Sequence, residues 1–526
     1  MIRFISPQAL KRQLSDGCEI ALLDTREHGQ YGEGHPFYSA HLPYSRLELD
    51  AHRLMPNKAV RIVLFGQNNA LANLAASRLT SLGYQDVAIL EGGVDGWAAA
   101  GYALFKGVHV PSKAFGEFVE LQYGTPHVSA QQLKTWFDTK QPVVVLDGRP
   151  KSEFRKMSIP GAVCCPNAEL AYRIHALVAD EETPIVVNCA GRTRSIIGAQ
   201  SLINMGIANP VYALENGTQG WYLNDFQLGH GSAAHYPDVG QRDSAALAAR
   251  RVAAKALVKK HEVGSVSSSQ VGDWLSDKTR TTYLFDVRTP EEFAASVVPG
   301  IVHAEGGQLL QGTDLYVGVR NARIVLYDTD GVRAPLVASW LAQLGFETHL
   351  LDAGDVSPKG YAGGNERPAV PALEEIAPER LLALVRDGSV RILDLRPSQE
   401  YRQAHLADAC WSTRSRIAND VGREPGLVVL VDNEPGRAAL AAGELAASGA
   451  AQVLHARADI EQWEAIGLQV ITTPDFPPDE ECIDFLFFVH DRHDGNKEAA
   501  RQYLAWETDL LDQMDEQEKA TYRLIN

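Results

Sequence analysis

Cysteine, methionine and cationic side chains are all scarce in this sequence. Its 526 residues hold 6 cysteines and 5 methionines. So few thiols in so long a chain do not make a disulfide framework. They fit a reducing cytoplasm, where a conspicuous cysteine is either reactive or buried. Lys and Arg number 49 against 66 Asp and Glu, a formal charge of −17. That balance repels phosphate backbones and anionic lipid, which argues against a nucleic-acid or membrane role. It leaves room for a small pocket in which a few arginines dominate locally. Long apolar runs are missing too. Residues 485–489, one of the longest runs, are far too few to cross a bilayer. Residues 1–12 show neither the apolar core nor the small-residue site of a secretory signal. The 16 histidines have no metal-ligand spacing, and His490-Asp-Arg-His493 reads as a solvated turn or helix end. No metal and no cofactor are therefore expected, and the chain is expected in the cytoplasm.

What is present has the balance of a folded protein. Hydrophobic residues make up 45% and charged residues 22%, which excludes disorder throughout. At about 150 residues per domain, the length suggests three or four domains. Internal repeats narrow this to four. Short apolar runs end in Asp-x-Arg at Asp24 and Arg26, Asp147 and Arg149, Asp286 and Arg288, and Asp394 and Arg396. Each leads to an acidic or amide residue beside an aromatic: Gln30-Tyr31, Glu153-Phe154, Glu292-Phe293 and Glu400-Tyr401. A segment resembling His-Ile-Pro-Gly follows, then a second apolar run that breaks into a polar loop and an Ala-rich helical pattern. The loop begins 42 residues after the Asp in the first three units (Gly66, Cys189, Asp328) and 38 after it in the fourth (Asp432). A last marker, often closing in Gly-Trp as at Trp97 and Trp221, ends the unit.

The Asp markers recur every 108 to 139 residues, the size of a small domain rather than of a solenoid repeat. Short continuous strands alternating with helical patterns predict an α/β fold in each unit: a small, mainly parallel sheet flanked by helices. The expected division is 1–105, 125–228, 265–360 and 370–472 for the four units. A helical linker covers 229–264, with its Ala-rich stretch at 244–255 as the helix, and a C-terminal helical extension covers 473–526. Residues 106–124 read as a connection, and 357–371 as a Gly- and Pro-rich loop. In the extension, Tyr503, Leu504, Trp506, Leu510, Leu511 and Met514 fall at helical spacing. This stripe either packs on the fourth unit or a neighbour, or docks another protein.

One polar loop carries a cysteine. Cys189-Ala-Gly-Arg-Thr-Arg194 stands where the first unit has Gly66-Gln-Asn-Asn-Ala70, the third Asp328-Thr-Asp-Gly-Val-Arg333 and the fourth Asp432-Asn-Glu-Pro-Gly-Arg437. A strand ending at Asn188 and a helix starting near Ser195 let the loop curl with its N–H groups inward, which makes an anion site. The amides, the helix dipole, Arg192 and Arg194 all favour a thiolate at its centre. The same cradle would hold the outer sulfur of a persulfide. Cys164 and Cys165 read as strand residues, of which one could resolve an oxidised Cys189, and Cys18, Cys410 and Cys482 read as packing residues. The other three units lack the nucleophile, and Asp328 and Asp432 would repel an anionic donor. Those units are expected to be scaffold, or to regulate.

This arrangement resembles the rhodanese family of sulfurtransferases, and the whole chain resembles rhodanese-related proteins with four tandem domains. Asp147, Arg149, Glu153-Phe154, Ile159-Pro-Gly-Ala162, the cysteine loop and Asn216-Gly-Thr-Gln-Gly-Trp221 carry the resemblance. It covers residues 1–470, most closely in the second unit and least in the third and fourth. It implies that Cys189 takes a sulfane sulfur from a small anionic donor such as thiosulfate, holds it as a persulfide, and passes it to cyanide or a thiol acceptor, including a thiol on a partner protein. It also implies that the amides of Ala190, Gly191, Arg192, Thr193 and Arg194 form the cradle, and that Arg192 and Arg194 attract the donor. Arg149 either organises the pocket or holds the strand end against Asp147. Related phosphatases and arsenate reductases use a longer loop. Here only four residues separate Cys189 from Arg194, which favours sulfur over phosphate. A phosphatase or arsenate reductase, and a non-catalytic scaffold that recruits a sulfur acceptor, remain the alternatives.

Overall fold

The computed structural model describes residues 2–237, 244–357, 359–361, 370–422, 426–449, 452–490 and 495–525. Continuous apolar runs are buried on both faces in strands of parallel sheets, and four such sheets follow one another along the chain. The first holds β1 (Arg3–Ile5), β2 (Ile20–Asp24), β3 (Ala40–His41), β4 (Arg61–Phe65) and β5 (Asp86–Leu90) in the order β1-β5-β4-β2-β3. The second repeats that order with β6 (His127–Val128), β7 (Val144–Asp147), β8 (Val163–Cys164), β9 (Ile185–Asn188) and β10 (Val211–Leu214), as β6-β10-β9-β7-β8. So does the third, with β11 (Gly264–Val266), β12 (Thr282–Asp286), β13 (Val302–His303), β14 (Arg323–Tyr327) and β15 (Glu347–Leu351), as β11-β15-β14-β12-β13. Further on come β16 (Val390–Asp394), β17 (His405–Leu406), β18 (Ala409–Trp411), β19 (Leu427–Val431), β20 (Gln452–Ala456) and β21 (Val470–Ile471). Four of these make a sheet in the order β18-β16-β19-β20, while β17 and β21 pair antiparallel beside it.

The constant spacing of the sequence markers has a register behind it. Asp24 pairs with Phe65, Asp147 with Asn188, Asp286 with Tyr327 and Asp394 with Val431, each joining a central strand to the one that carries the polar loop. Every loop therefore leaves its sheet from the same place, whatever residue begins it. The Asp-x-Arg motif locks that strand end. Arg149 Nε and Nη2 donate to the Asp147 carboxylate at 2.9 and 2.7 Å, and Nη2 also reaches the Met157 carbonyl at 2.6 Å. Arg26 makes the same pair of contacts with Asp24 and Gly34, Arg288 with Asp286 and Ser296, and Arg396 with Asp394 and Ala404. All four pairs are buried.

Several elements differ from the sequence reading. Residues 106–124 contain a helix, Val110–Tyr123, with Pro111 in its first turn, where the missing N–H costs nothing. The linker helix runs Ser244–Lys260, and residues 238–243 before it lie outside the described residues. So does most of the loop expected at 357–371. The C-terminal stripe is a helix over Lys497–Thr508 followed by two short turns, Leu510–Gln513 and Glu516–Lys519. It packs against Gly217–Leu223 of the second unit and the Val110–Tyr123 helix. The extension reaches it by crossing the first unit, where the Ile483 and Phe485 carbonyls would lie 2.7 and 2.5 Å from a Cβ on Gly29. Cys18 is exposed in the turn before β2 rather than a packing residue, because the chain there bends outward between helix and strand. Among the described residues, no helix is long and apolar enough to cross a membrane.

Candidate active site

Cys189 follows the last residue of β9, and the helix Thr193–Asn204 begins four residues later. Ser195, on that helix, donates its hydroxyl to the Cys189 sulfur at 3.1 Å. A second segment braces the loop from behind. The N–H groups of Thr218 and Gln219 donate to the carbonyls of Cys189 and Ala190 at 2.8 and 3.1 Å. Such an approach needs glycine. Gly217 has φ +52°, and a Cβ there would sit 2.3 Å from the Cys189 carbonyl oxygen. The closing marker of the unit is thus a backrest for the cysteine loop.

The third unit reveals what the loop is built to hold. Asp328 occupies the Cys189 position, and its carboxylate accepts from the backbone N–H groups of Gly331 at 2.9 Å and Ala334 at 2.7 Å. In the fourth unit Asp432 accepts from the Glu434 N–H at 3.0 Å and pairs with Arg437 at 2.6 Å. Each of these loops thus holds its own carboxyl by backbone or arginine contacts, and burial, with Asp330 nearby, pushes the Asp328 carboxyl up to about 7. The second-unit counterparts of Gly331 and Ala334 are Arg192 and Ser195. Among the described residues, none accepts a hydrogen bond from the backbone N–H groups of residues 190–195. At the matching place the second unit has the Cys189 thiol where the third and fourth have a carboxyl.

The surrounding charges are matched within the protein. Arg192 donates to both oxygens of Glu117 at 2.8 Å and also bonds Glu120, both on the Val110–Tyr123 helix. Arg194 forks onto Glu153 with two contacts of 2.8 Å. Burial works against its charge, but Glu153 and the nearby Cys189 sulfur hold the guanidinium firmly protonated. Burial pushes the Glu117 carboxyl up to about 7 even with Arg192 beside it.

A model of the rhodanese-like domain matches residues 6–100, 129–224 and 267–355. The chain belongs to the rhodanese family. The crystal structure of thiosulfate sulfurtransferase from Pseudomonas aeruginosa is 38% identical over 100% of both chains, with a TM-score of 0.90. Smaller likenesses span a single unit. The Alr3790 protein from Anabaena sp. is 26% identical over 19% of this chain and 91% of its own, with a TM-score of 0.19. A rhodanese-related protein from Thermoplasma volcanium is 21% identical over 20% and 97%, with a TM-score of 0.18. No curated protein matches the sequence. The full-length likeness supports rhodanese-type sulfur transfer as the chemistry of this chain.

The rhodanese loop brings Cys189, Ala190, Gly191, Arg192, Thr193 and Arg194 together, as their sequence order requires. Arg149 stands at the neighbouring strand end. It is 2% exposed and held in the strand-end pair with Asp147, the second of its two expected roles. Cys164 and Cys165 are buried, and burial pushes the Cys164 thiol up to about 12 and the Cys165 thiol well above its ordinary range, so neither is poised to react as a thiolate. His490 stacks on Phe485 at 4.5 Å, while residues 491–493 lie outside the described residues.

The sequence reading missed the far wall. Thr193 donates its hydroxyl to Glu507 at 3.0 Å. The other Glu507 oxygen would lie 2.9 Å from a Cβ on Gly191, with the Tyr503 ring and the Gln219 amide nitrogen each at 3.8 Å from that point. Lys113 reaches the Tyr503 hydroxyl and lies 4.7 Å from both the Tyr503 and Trp506 rings. The C-terminal helix therefore covers the cysteine loop, and Cys189 is only 2% exposed. The available signal was an acid, Glu507, lying one helical turn from Tyr503 on an otherwise apolar stripe.

Proposed function

We propose that this protein is a sulfurtransferase that carries a sulfane sulfur as a persulfide on Cys189. One observation supports the reading: Cys189 stands at the loop position where, in the third unit, two backbone N–H groups hold the Asp328 carboxyl. The Cys189 thiolate would attack the sulfane sulfur of thiosulfate or a similar donor. A new S–S bond forms, the donor's S–S bond breaks, and sulfite leaves with the electron pair. The outer sulfur of the resulting persulfide is anionic and sits among the N–H groups of residues 190–195, where it needs no reorganisation of the protein. Cyanide or an acceptor thiolate then attacks that sulfur and Cys189 leaves as the thiolate, ready for another round. The loop is also too short for the tetrahedral oxyanion chemistry of phosphatases, with four residues between Cys189 and Arg194.

The remaining sheets are read as copies without the nucleophile. The fourth sheet keeps the Asp-x-Arg lock and the central strand order, which supports counting it as a fourth, diverged rhodanese unit. Thiosulfate:cyanide transfer by the wild type and Cys189→Ala tests the proposal. Turnover should vanish in the variant, and the donor-treated wild type should gain one sulfur, mapped to Cys189 by mass spectrometry. Equal turnover in the two proteins would overturn it.

A further inference from the structure

Three of the four polar loops place an arginine five residues after their first residue: Arg194, Arg333 and Arg437. The same three units carry a glutamate beside the aromatic marker: Glu153, Glu292 and Glu400. The first unit lacks both, with Leu71 and Gln30 in their places. Acid and arginine are thus kept or lost together, and the copies show them in two arrangements.

In the second unit Arg194 forks onto Glu153 with two contacts of 2.8 Å. In the fourth, Arg437 lies elsewhere. Its Nε and Nη2 donate to the Asp432 carboxylate at 2.7 and 2.6 Å, the position that Cys189 holds in the second unit. Glu400 is exposed, and the ion pair of Arg437 is with Asp432. An arginine at this spacing can therefore bind an anion at the first position of its own loop. The third unit shows what prevents it. Asp328 supplies a carboxyl there too, yet Arg333 stays on Glu292 because Asp330 and Glu169 also hold it. The second unit has neither restraint on Arg194. Gly191 stands where the third unit has Asp330, and Glu169 is bound to Arg173 and Arg333. Asp147, the next acid, is bound by Arg149 and Asn188. Glu153 has 38% of its side chain exposed, and an ion pair open to water is weak.

Resting on the persulfide reading above, we infer that Arg194 exchanges partners during the sulfur-transfer cycle. It lies on Glu153 while Cys189 is unloaded, and turns onto the anion at Cys189 when the donor binds or the persulfide forms. Glu153 is a positioning residue that acts through Arg194. It keeps the guanidinium beside the loop and competes with the anionic donor for it. The exchange makes and breaks no covalent bond and moves no proton. One charge-assisted contact replaces another.

Cys189→Asp tests the exchange without any sulfur chemistry, since it puts a carboxylate where the fourth unit has one. The crystal structure of that variant should show Arg194 bonded to the new carboxylate and Glu153 released, as Arg437 and Glu400 are. Arg194 still forked onto Glu153 would overturn the exchange.

A second arm is kinetic. Glu153→Gln keeps the shape and removes the competing charge, so the KM for thiosulfate should fall about two- to fivefold. Arg194→Met should raise it, and adding Glu153→Gln to Arg194→Met should change it no further. A KM that is unchanged or raised in Glu153→Gln would overturn the competition, because removing an acid that only holds the loop together does not tighten donor binding. If Cys189 takes no sulfur from thiosulfate, the persulfide reading falls, and the Cys189→Asp structure still decides whether Arg194 moves.

Discussion

The Ser195 hydroxyl points at the Cys189 sulfur from the first turn of the helix that follows it. A hydrogen bond to a charged acceptor is worth about 1.5–3 kcal/mol, which corresponds to roughly 10–100-fold in rate. Ser195→Ala should therefore lower thiosulfate:cyanide turnover by that factor while leaving the thermal midpoint nearly unchanged. Wild-type turnover in the variant would show that the hydroxyl does not act on the sulfur. Arg149 should behave in the opposite way. Its removal leaves Asp147 buried and uncompensated, a loss of about 3–5 kcal/mol. Arg149→Met should thus fail in stability, read from the denaturant midpoint, and not in donor affinity of the folded fraction. At this scale the cysteine was legible because its neighbours in sequence are its neighbours in the loop. The partners of the loop arginines were not. Glu117, Glu120 and Glu153 lie 36 or more residues from the cysteine, and nothing local marks them as the groups that absorb the charge of Arg192 and Arg194.

Elements that stand on periodicity were legible, and those that stand on contact were not. Apolar runs placed the central strands of each sheet, and the strand end at Asn188 placed the helix that follows the cysteine loop. The Val110–Tyr123 helix escaped because residues 106–124 read as a connection between two units. Gly116 is there for proximity: a Cβ on it would lie 2.8–3.2 Å from three atoms of Thr193, at the start of the cysteine helix. Glycine within a helix costs about 1 kcal/mol against alanine, so on propensity alone Gly116→Ala should stabilise. The contact reverses that sign. Overpacking at such a site costs about 1–3 kcal/mol. We expect Gly116→Ala to lower the denaturant midpoint and to reduce turnover, since Glu117 and Glu120 would move with the helix that carries them. A raised midpoint would mean that the two helices are not in close contact. The C-terminal helix shows the same limit. Its apolar stripe was visible, but not that its one buried acid faces the cysteine loop.

Across the whole molecule, one continuous apolar core joins the first three units with the C-terminal extension, while the fourth unit keeps its own. Within the shared body Arg333, fully buried, links Asp330 and Glu292 of its own unit to Glu169 of the second. Buried and half-buried carboxyls there pull stability in opposite directions with pH. Burial works against the Glu292 charge, but Arg333 outweighs it and brings the carboxyl down to about 2. Glu292 therefore contributes stability that is full above its unfolded value of about 4.5 and is lost as pH falls from there towards 2. Burial raises Glu27, Glu117 and Glu305 to about 7. For these the folded state holds the proton more tightly, so the associated stability is full below about 4.5 and is lost as pH rises to about 7. The formal charge of −17 acts with the second group, because self-repulsion grows as carboxyls ionise. The thermal midpoint of the shared body should accordingly peak on the acid side of neutrality and decline towards pH 8. Glu117→Gln, which cannot ionise, should make that decline shallower, and Glu292→Gln should remove part of the fall below pH 4.5. A midpoint that climbs steadily from pH 5 to 8 in the wild type would show that the buried carboxyls do not set its pH dependence.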